Sequence, residues 1–153
     1  MTAWMTAGAI MLANAYPGVA FAHRTGGFSG SWSYAKRCDR GHYLSLDLQQ
    51  NGDRVTGDWS EGTNIRGGAG QLQGEVRGDT LHVRYCSDDN EVGYSACPVF
   101  SEPEDRFRLE KGGLVRYQKY GAQYRRGVTL HRERAGHQVP LDHACQDPDS
   151  DAR

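Results

Sequence analysis

Apolar and polar residues alternate with a period of two along most of this chain. Leu44, Leu46 and Leu48 share one face, with Ser45 and Asp47 on the other. Val55, Gly57 and Trp59 form a second such set, and Leu72 with Val76 a third, set against Gln71, Gln73, Glu75 and Arg77. Leu81, Val83 and Tyr85 alternate with Thr80, His82 and Arg84; Phe107 and Leu109 with Arg106, Arg108 and Glu110; Val128 and Leu130 with Thr129 and His131. Successive side chains of a strand point to opposite faces, so this pattern predicts antiparallel sheet that is wet on one face. Asn51-Gly52, Gly78-Asp79 and Gly112-Gly113 supply tight turns between the runs. With Gly30–Tyr34 and Leu114–Tyr120, the pattern predicts eight strands, at about 30–34, 43–49, 54–59, 69–77, 80–85, 105–110, 114–120 and 127–133. No repeat, coiled coil or long helix is predicted.

Eight antiparallel strands can close into an up-and-down barrel, which removes the exposed edges of an open sheet. Followed up and down, the chain has short connections at one end, at 50–53, 78–79 and 111–113. The connections at the other end are longer, at about 35–42, 60–68, 86–104 and 121–126. Loops held by a rigid scaffold are where binding sites form, so the long-loop end is the expected binding end. The inward set includes Trp32, Trp59, Tyr85, Phe107 and Leu109. An eight-stranded interior is just wide enough for such side chains or for one small ligand.

The first 22 residues differ from the rest. Met1–Ala22 holds no Asp, Glu, Lys or Arg; Ala7–Ala15 is apolar apart from Asn14; and Ala20-Phe21-Ala22 is a small-x-small cleavage pattern after Pro17 and Gly18. This predicts a signal peptide over 1–22, though its n-region lacks Lys and Arg. A barrel domain over 23–134 and a polar tail over 135–153 follow. The expected location is secreted or periplasmic, with no stable membrane span after cleavage. Cys38, Cys86, Cys97 and Cys145 all lie in the mature part, and none forms a C-x-x-C. Four cysteines behind an export signal predict two disulfides, with three connectivities open. Cys86 with Cys97 would close a ten-residue loop, leaving Cys38 with Cys145; Cys38 with Cys86 and Cys97 with Cys145 also fits. Lys+Arg is 18 against an Asp+Glu of 19, a balance that gives no pointer to nucleic acid.

Gly30-Ser31-Trp32 on the first strand resembles the Gly-x-Trp that opens lipocalin and avidin-like barrels. The eight alternating runs extend that resemblance over about residues 28–134. It implies that Trp32 closes the narrow end of the barrel and that a basic residue of the last strand, Arg132 or Arg134, packs over it. The chain lacks a clear Thr-Asp-Tyr in the middle loop and a row of biotin contacts, so the resemblance carries fold rather than ligand. A looser resemblance, to small exported lysozyme inhibitors of bacteria, rests on residue types in Ser29-Gly30 and Gly93-Tyr94-Ser95 and carries no site.

Candidate chemistry is sparse. His82 and His131 fall on outward faces of different strands, and two histidines without a third ligand do not make a zinc site. His42 lies in a long loop, but no Gly-x-Ser-x-Gly supplies a nucleophile. No metal, cofactor or catalytic set is expected. Residues 86–105 hold Asp88, Asp89, Glu91, Glu102, Glu104 and Asp105 and no base, which reads as a solvated acidic loop without EF-hand spacing. Residues 111–134 hold seven Lys and Arg against Glu133, interleaved with Tyr117, Tyr120 and Tyr124. Aromatic-plus-basic composition suits stacking on a ligand ring and pairing with an anion; the plainer reading is a hairpin with half-buried tyrosines and solvated arginines. The expected contact residues are Trp59, Asp88, Asp89, Tyr94, Tyr117, Tyr120, Tyr124 and Arg125. Together these features predict a monomeric, exported, non-catalytic binding protein for a small or lipidic ligand. The alternative is a module that inhibits or gives immunity to a secreted protein.

Overall fold

A computed structural model describes residues 27–38, 40–89, 93–103 and 105–144. The expected signal peptide, Glu91, Glu104, Cys145 and the end of the tail lie outside the described residues. The described residues form nine strands and no helix: β1 (Gly30–Lys36), β2 (Tyr43–Asn51), β3 (Arg54–Gly62), β4 (Gly67–Arg77), β5 (Thr80–Tyr85), β6 (Asp105–Glu110), β7 (Gly113–Tyr120), β8 (Gln123–Arg132) and β9 (Leu141–Asp142). Each of the first seven pairs antiparallel with the next, and β8 returns to β1 through Trp32↔Arg132 and Ser33↔His131. The sheet is therefore a closed eight-stranded up-and-down barrel, as the alternation predicts.

The seam where β8 meets β1 is short. Beyond Ser33 the second half of β1 pairs instead with β9, in parallel, through Ala35↔Leu141 and Lys36↔Asp142. β9 falls beyond residue 134, where a polar tail is expected. Two residues carry no readable alternation, so the sequence pattern could not reveal it.

Burial follows the predicted faces. Trp32, Leu44, Leu46, Leu48, Val55, Leu72, Leu81, Val83, Phe107, Leu114 and Leu130 form one buried cluster. Leu109, expected inside, is 43% exposed, because it lies at the rim of the closed end, beside Gly27. Close strand approach depends on small residues. A Cβ on Gly57 would lie 1.8 Å from the Asp47 carbonyl, and one on Gly70 would lie 2.1 Å from that of Cys86. At the closed end the Arg132 guanidinium sits 4.3 Å over the Trp32 ring. Its nitrogens donate to the carbonyls of Ser29 (2.6 Å) and Gly27 (2.9 Å), while Trp32 Nε1 donates to Phe28. Of the two basic candidates, Arg132 holds this place; Arg134 lies in a bridge with His137.

The loop asymmetry is smaller than expected. The β7–β8 connection, expected to be long over 121–126, is a tight turn at Gly121-Ala122, with Gly121 at φ 59°. A bulge between Val115 and Tyr117 shifts the register of the two strands, whose pairing continues to Tyr120↔Gln123. The longest connection joins β5 to β6 and is closed by the Cys86–Cys97 disulfide. Cys38 is also disulfide-bonded. Removing the first bridge with Cys86→Ala and Cys97→Ala should lower stability by roughly 3 kcal/mol, the chain-entropy value for a loop of this size. Denaturant melts of the double variant and wild type check this; an unchanged midpoint would contradict it.

Candidate functional site

The barrel interior divides into two halves. Around the short turns it is solid and apolar. Toward the long loops the inward positions become polar, and those polar groups are joined into a network. Arg116 on β7 is buried; its Nε donates to Asp105 Oδ2 at 2.7 Å and its Nη1 to Glu61 Oε1 at 2.7 Å. Glu61 lies near the end of β3 and also contacts His42 Nε2 at 2.9 Å. Asp105, the first residue of β6, accepts the Tyr85 hydroxyl at 3.0 Å. Beside this chain Tyr34 donates to Asp142 Oδ2 at 2.8 Å, which ties the first strand to β9.

The electrostatics follow from burial and pairing. Burial works to raise the Glu61 carboxyl, but hydrogen bonds and charge from His42 and Arg116 outweigh it and hold Glu61 below the usual range. At Asp105 burial wins over Arg116 and Tyr85, and the nearby Glu61 adds to it, so its carboxyl is pushed up. Burial and the Asp105 charge keep the Tyr85 phenol protonated far above its ordinary range. Burial opposes the charge on Arg116, yet Tyr85, Asp105 and Glu61 fix it there. Two carboxylates face one guanidinium, so Arg116 is not free to receive an anion. It braces three strands.

Trp59 packs edge to face against Tyr85 and Tyr94, which are tilted to each other, with ring centroids 5.2 to 5.6 Å apart. Trp59 Nε1 donates to the Cys86 carbonyl at 2.9 Å, which joins the aromatic group to the disulfide loop. Two open clefts lie at this end. One, of about 920 Å³, runs between the β7–β8 hairpin and β9 and includes Tyr34, His42, Gln118, Tyr120 and Asp142. The other, of about 550 Å³, includes Tyr94, Asp105, Arg116, Gln118 and Tyr120. Gln118 and Tyr120 border both, so they form the wall between them.

The expected contact residues divide. Tyr94 and Tyr120 line the clefts, and Arg125 lies over Tyr120 at the rim, 5.2 Å from its ring. Trp59 is buried in the core rather than open to a ligand. Asp88 and Asp89 are exposed on the disulfide loop. Tyr117 and Tyr124 stand on the outer face: Tyr117 donates to Glu110 at 2.5 Å, and Tyr124 carries the Arg106 guanidinium 3.7 Å over its ring. Tyr117 and Tyr120 point to opposite faces because their spacing is odd. The network residues Glu61, Asp105 and Arg116 are absent from the expected set, although the alternation marks them. Glu61 follows Trp59 by two, Asp105 precedes Phe107 by two and Arg116 follows Leu114 by two, so each is a charged residue at an inward position.

Among the described residues no group of three His, Cys, Asp or Glu could hold a metal ion. The chain matches no known protein family, no curated protein and no solved structure.

Proposed function

We propose that this is an exported, non-catalytic binding protein that takes a small polar molecule in the mouth of the barrel, against Gln118 and Tyr120. The observation that carries this reading is the division of the interior. Bulky side chains fill the closed half and leave no room for a lipid tail, whereas the open half offers hydroxyl, amide and imidazole groups beside two clefts. Glu61 and Asp105 are both tied to Arg116, which suits a rigid wall better than proton transfer. The disulfides fit an oxidising compartment.

Ile65 and Val99 favour a second reading, a secreted protein as the partner. They are large apolar residues, 69% and 65% exposed, on loops of the same end.

Thermal melts against a panel of monosaccharides, nucleosides and amino acids, with a fatty acid as control, test the proposal. A polar compound at a hundred times its Kd should stabilise the protein by about 2.7 kcal/mol. Its affinity should fall at least tenfold, about 1.4 kcal/mol, in Gln118→Ala/Tyr120→Ala. Stabilisation by the fatty acid alone, or polar binding unchanged in the variant, would overturn it.

A further inference from the structure

The seam that closes the barrel is short, and the wall gapes beyond it. β8 runs from Gln123 to Arg132, yet it meets β1 only through Trp32↔Arg132 and Ser33↔His131. Past Ser33, β1 gives its edge to β9, through Ala35↔Leu141 and Lys36↔Asp142. Among the described residues, β8 therefore has no strand on that side from Gln123 to Leu130. The gap is the cleft of about 920 Å³, with Gly127, Val128 and Thr129 on one wall and Leu141 and Asp142 on the other.

The direction of the backbone groups follows from the seam. The Glu133 N–H donates to the Ser31 carbonyl at 2.9 Å. In an antiparallel strand every second residue directs its N–H and C=O to the same side, so His131 and Thr129 aim theirs at the same edge as Glu133. Those of His131 meet Ser33, and those of Thr129 open into the cleft. Leu130, between them, is turned to β7: a Cβ on Gly113 would lie 2.1 Å from its carbonyl. Gly127 puts no side chain on this edge, which lets a second backbone come close. The charged groups of the cleft are mostly matched already: Arg126 faces Glu110, His42 faces Glu61, and Asp142 is held by Tyr34 and the Ala144 N–H. What the cleft lacks is a partner for backbone.

We infer that the free edge of β8 takes an extended peptide of a partner protein, added as a strand in the cleft between β8 and β9. An exposed edge is a template for such pairing, and main-chain hydrogen bonds supply the affinity. β9 is a precedent within the chain, a two-residue extended segment already added to β1 at this cleft. The wall that β9 makes also selects the occupant, because a slot with two walls admits one strand and not the edge of a second barrel. The contact is with the main chain of β8, which sets it apart from a small molecule held by the Gln118 and Tyr120 side chains.

Selection of random heptapeptides displayed on phage against the whole protein, followed by synthesis of the enriched peptides, tests this. Hydrogen exchange at the Thr129 amide should be fast in the free protein and slowed in the complex. Thr129→Pro removes the edge N–H, which the β7 ladder does not use, and should weaken binding roughly tenfold, the loss expected for one hydrogen bond. Thr129→Ala keeps that N–H and should bind as wild type does. N-methylation of an enriched peptide at alternate positions should abolish binding, and at the intervening positions should leave it, a result that does not depend on how Thr129→Pro folds. No enriched peptide, equal losses in Thr129→Ala and Thr129→Pro, or methylation effects without alternation would each overturn the inference. So would a Thr129 amide already protected in the free protein, with a second copy or the chain's own residues 145–153 then holding the edge.

Discussion

Arg116→Met should lower the stability of the protein by about 3–5 kcal/mol at neutral pH, the usual cost of leaving buried charge without its partner. The substitution keeps most of the side-chain volume, so packing changes little. What it removes is the cation between Glu61 and Asp105, 2.7 Å from each. The pH dependence separates this account from a simple packing defect. In the wild type, Glu61 is held below its unfolded pKa; its contribution is present above that value and is lost as pH falls through the folded one. Asp105 is raised and has the opposite sign, since its ionisation costs the folded state. Without Arg116 both carboxyls are raised, so the variant should gain stability on acidification while wild type does not gain as much. The gap between them should narrow between about pH 7 and pH 4. Adding Glu61→Gln and Asp105→Asn to Arg116→Met should recover much of the loss at pH 7. Denaturant melts across that range check both points; a gap that stays constant with pH would mean that lost packing, not lost charge, dominates.

Phe107→Ala should cost about 3–5 kcal/mol, the range for deleting a fully buried aromatic side chain. Phe107 is completely buried, with Leu81 opposite it on β5 and Arg116 opposite it on β7. It therefore marks the boundary between the apolar floor and the polar network above it. Leu109→Ala, two residues along the same face but at the exposed rim, should cost less than about 1 kcal/mol. Equal losses at the two positions would contradict the placement of the core. The midpoints of urea unfolding, with unchanged slopes, are the measurement.

Much of the barrel is legible in the sequence because closure makes every strand face one interior. Leu44, Leu46 and Leu48 show period two, and the same period runs through Leu81, Val83 and Tyr85 and places them inside. Asn51-Gly52 and Gly78-Asp79 mark their hairpins through backbone preference alone. The β7–β8 hairpin is less legible. Its bulge comes from a register shift between Val115 and Tyr117, and no residue type there announces it. β8 begins at Gln123 rather than near 127, which leaves a two-residue turn at Gly121-Ala122 in place of the expected long loop, and the odd spacing of Tyr117 and Tyr120 puts those two on opposite faces.

The candidate site is legible only in part. Tyr94, Tyr120 and Arg125 could be picked out by composition, as aromatic and basic groups in loops or near them. Glu61, Asp105 and Arg116 could be found only by carrying the alternation past the last apolar residue of each strand. There a charged residue at an inward position signals a paired buried ion, because an unpaired one is too costly. His42 and Asp142 had no such signal. The first lies in a loop between β1 and β2 and the second on a two-residue strand, and tertiary structure alone brings them to Glu61 and Tyr34.

The mass of the protein purified from its own compartment, compared before and after unfolding, reports whether the barrel mouth holds a ligand. Extra mass from a small water-soluble molecule is expected, released on unfolding and absent from Gln118→Ala/Tyr120→Ala. A bound lipid, or a bound mass that survives those two substitutions, would contradict it.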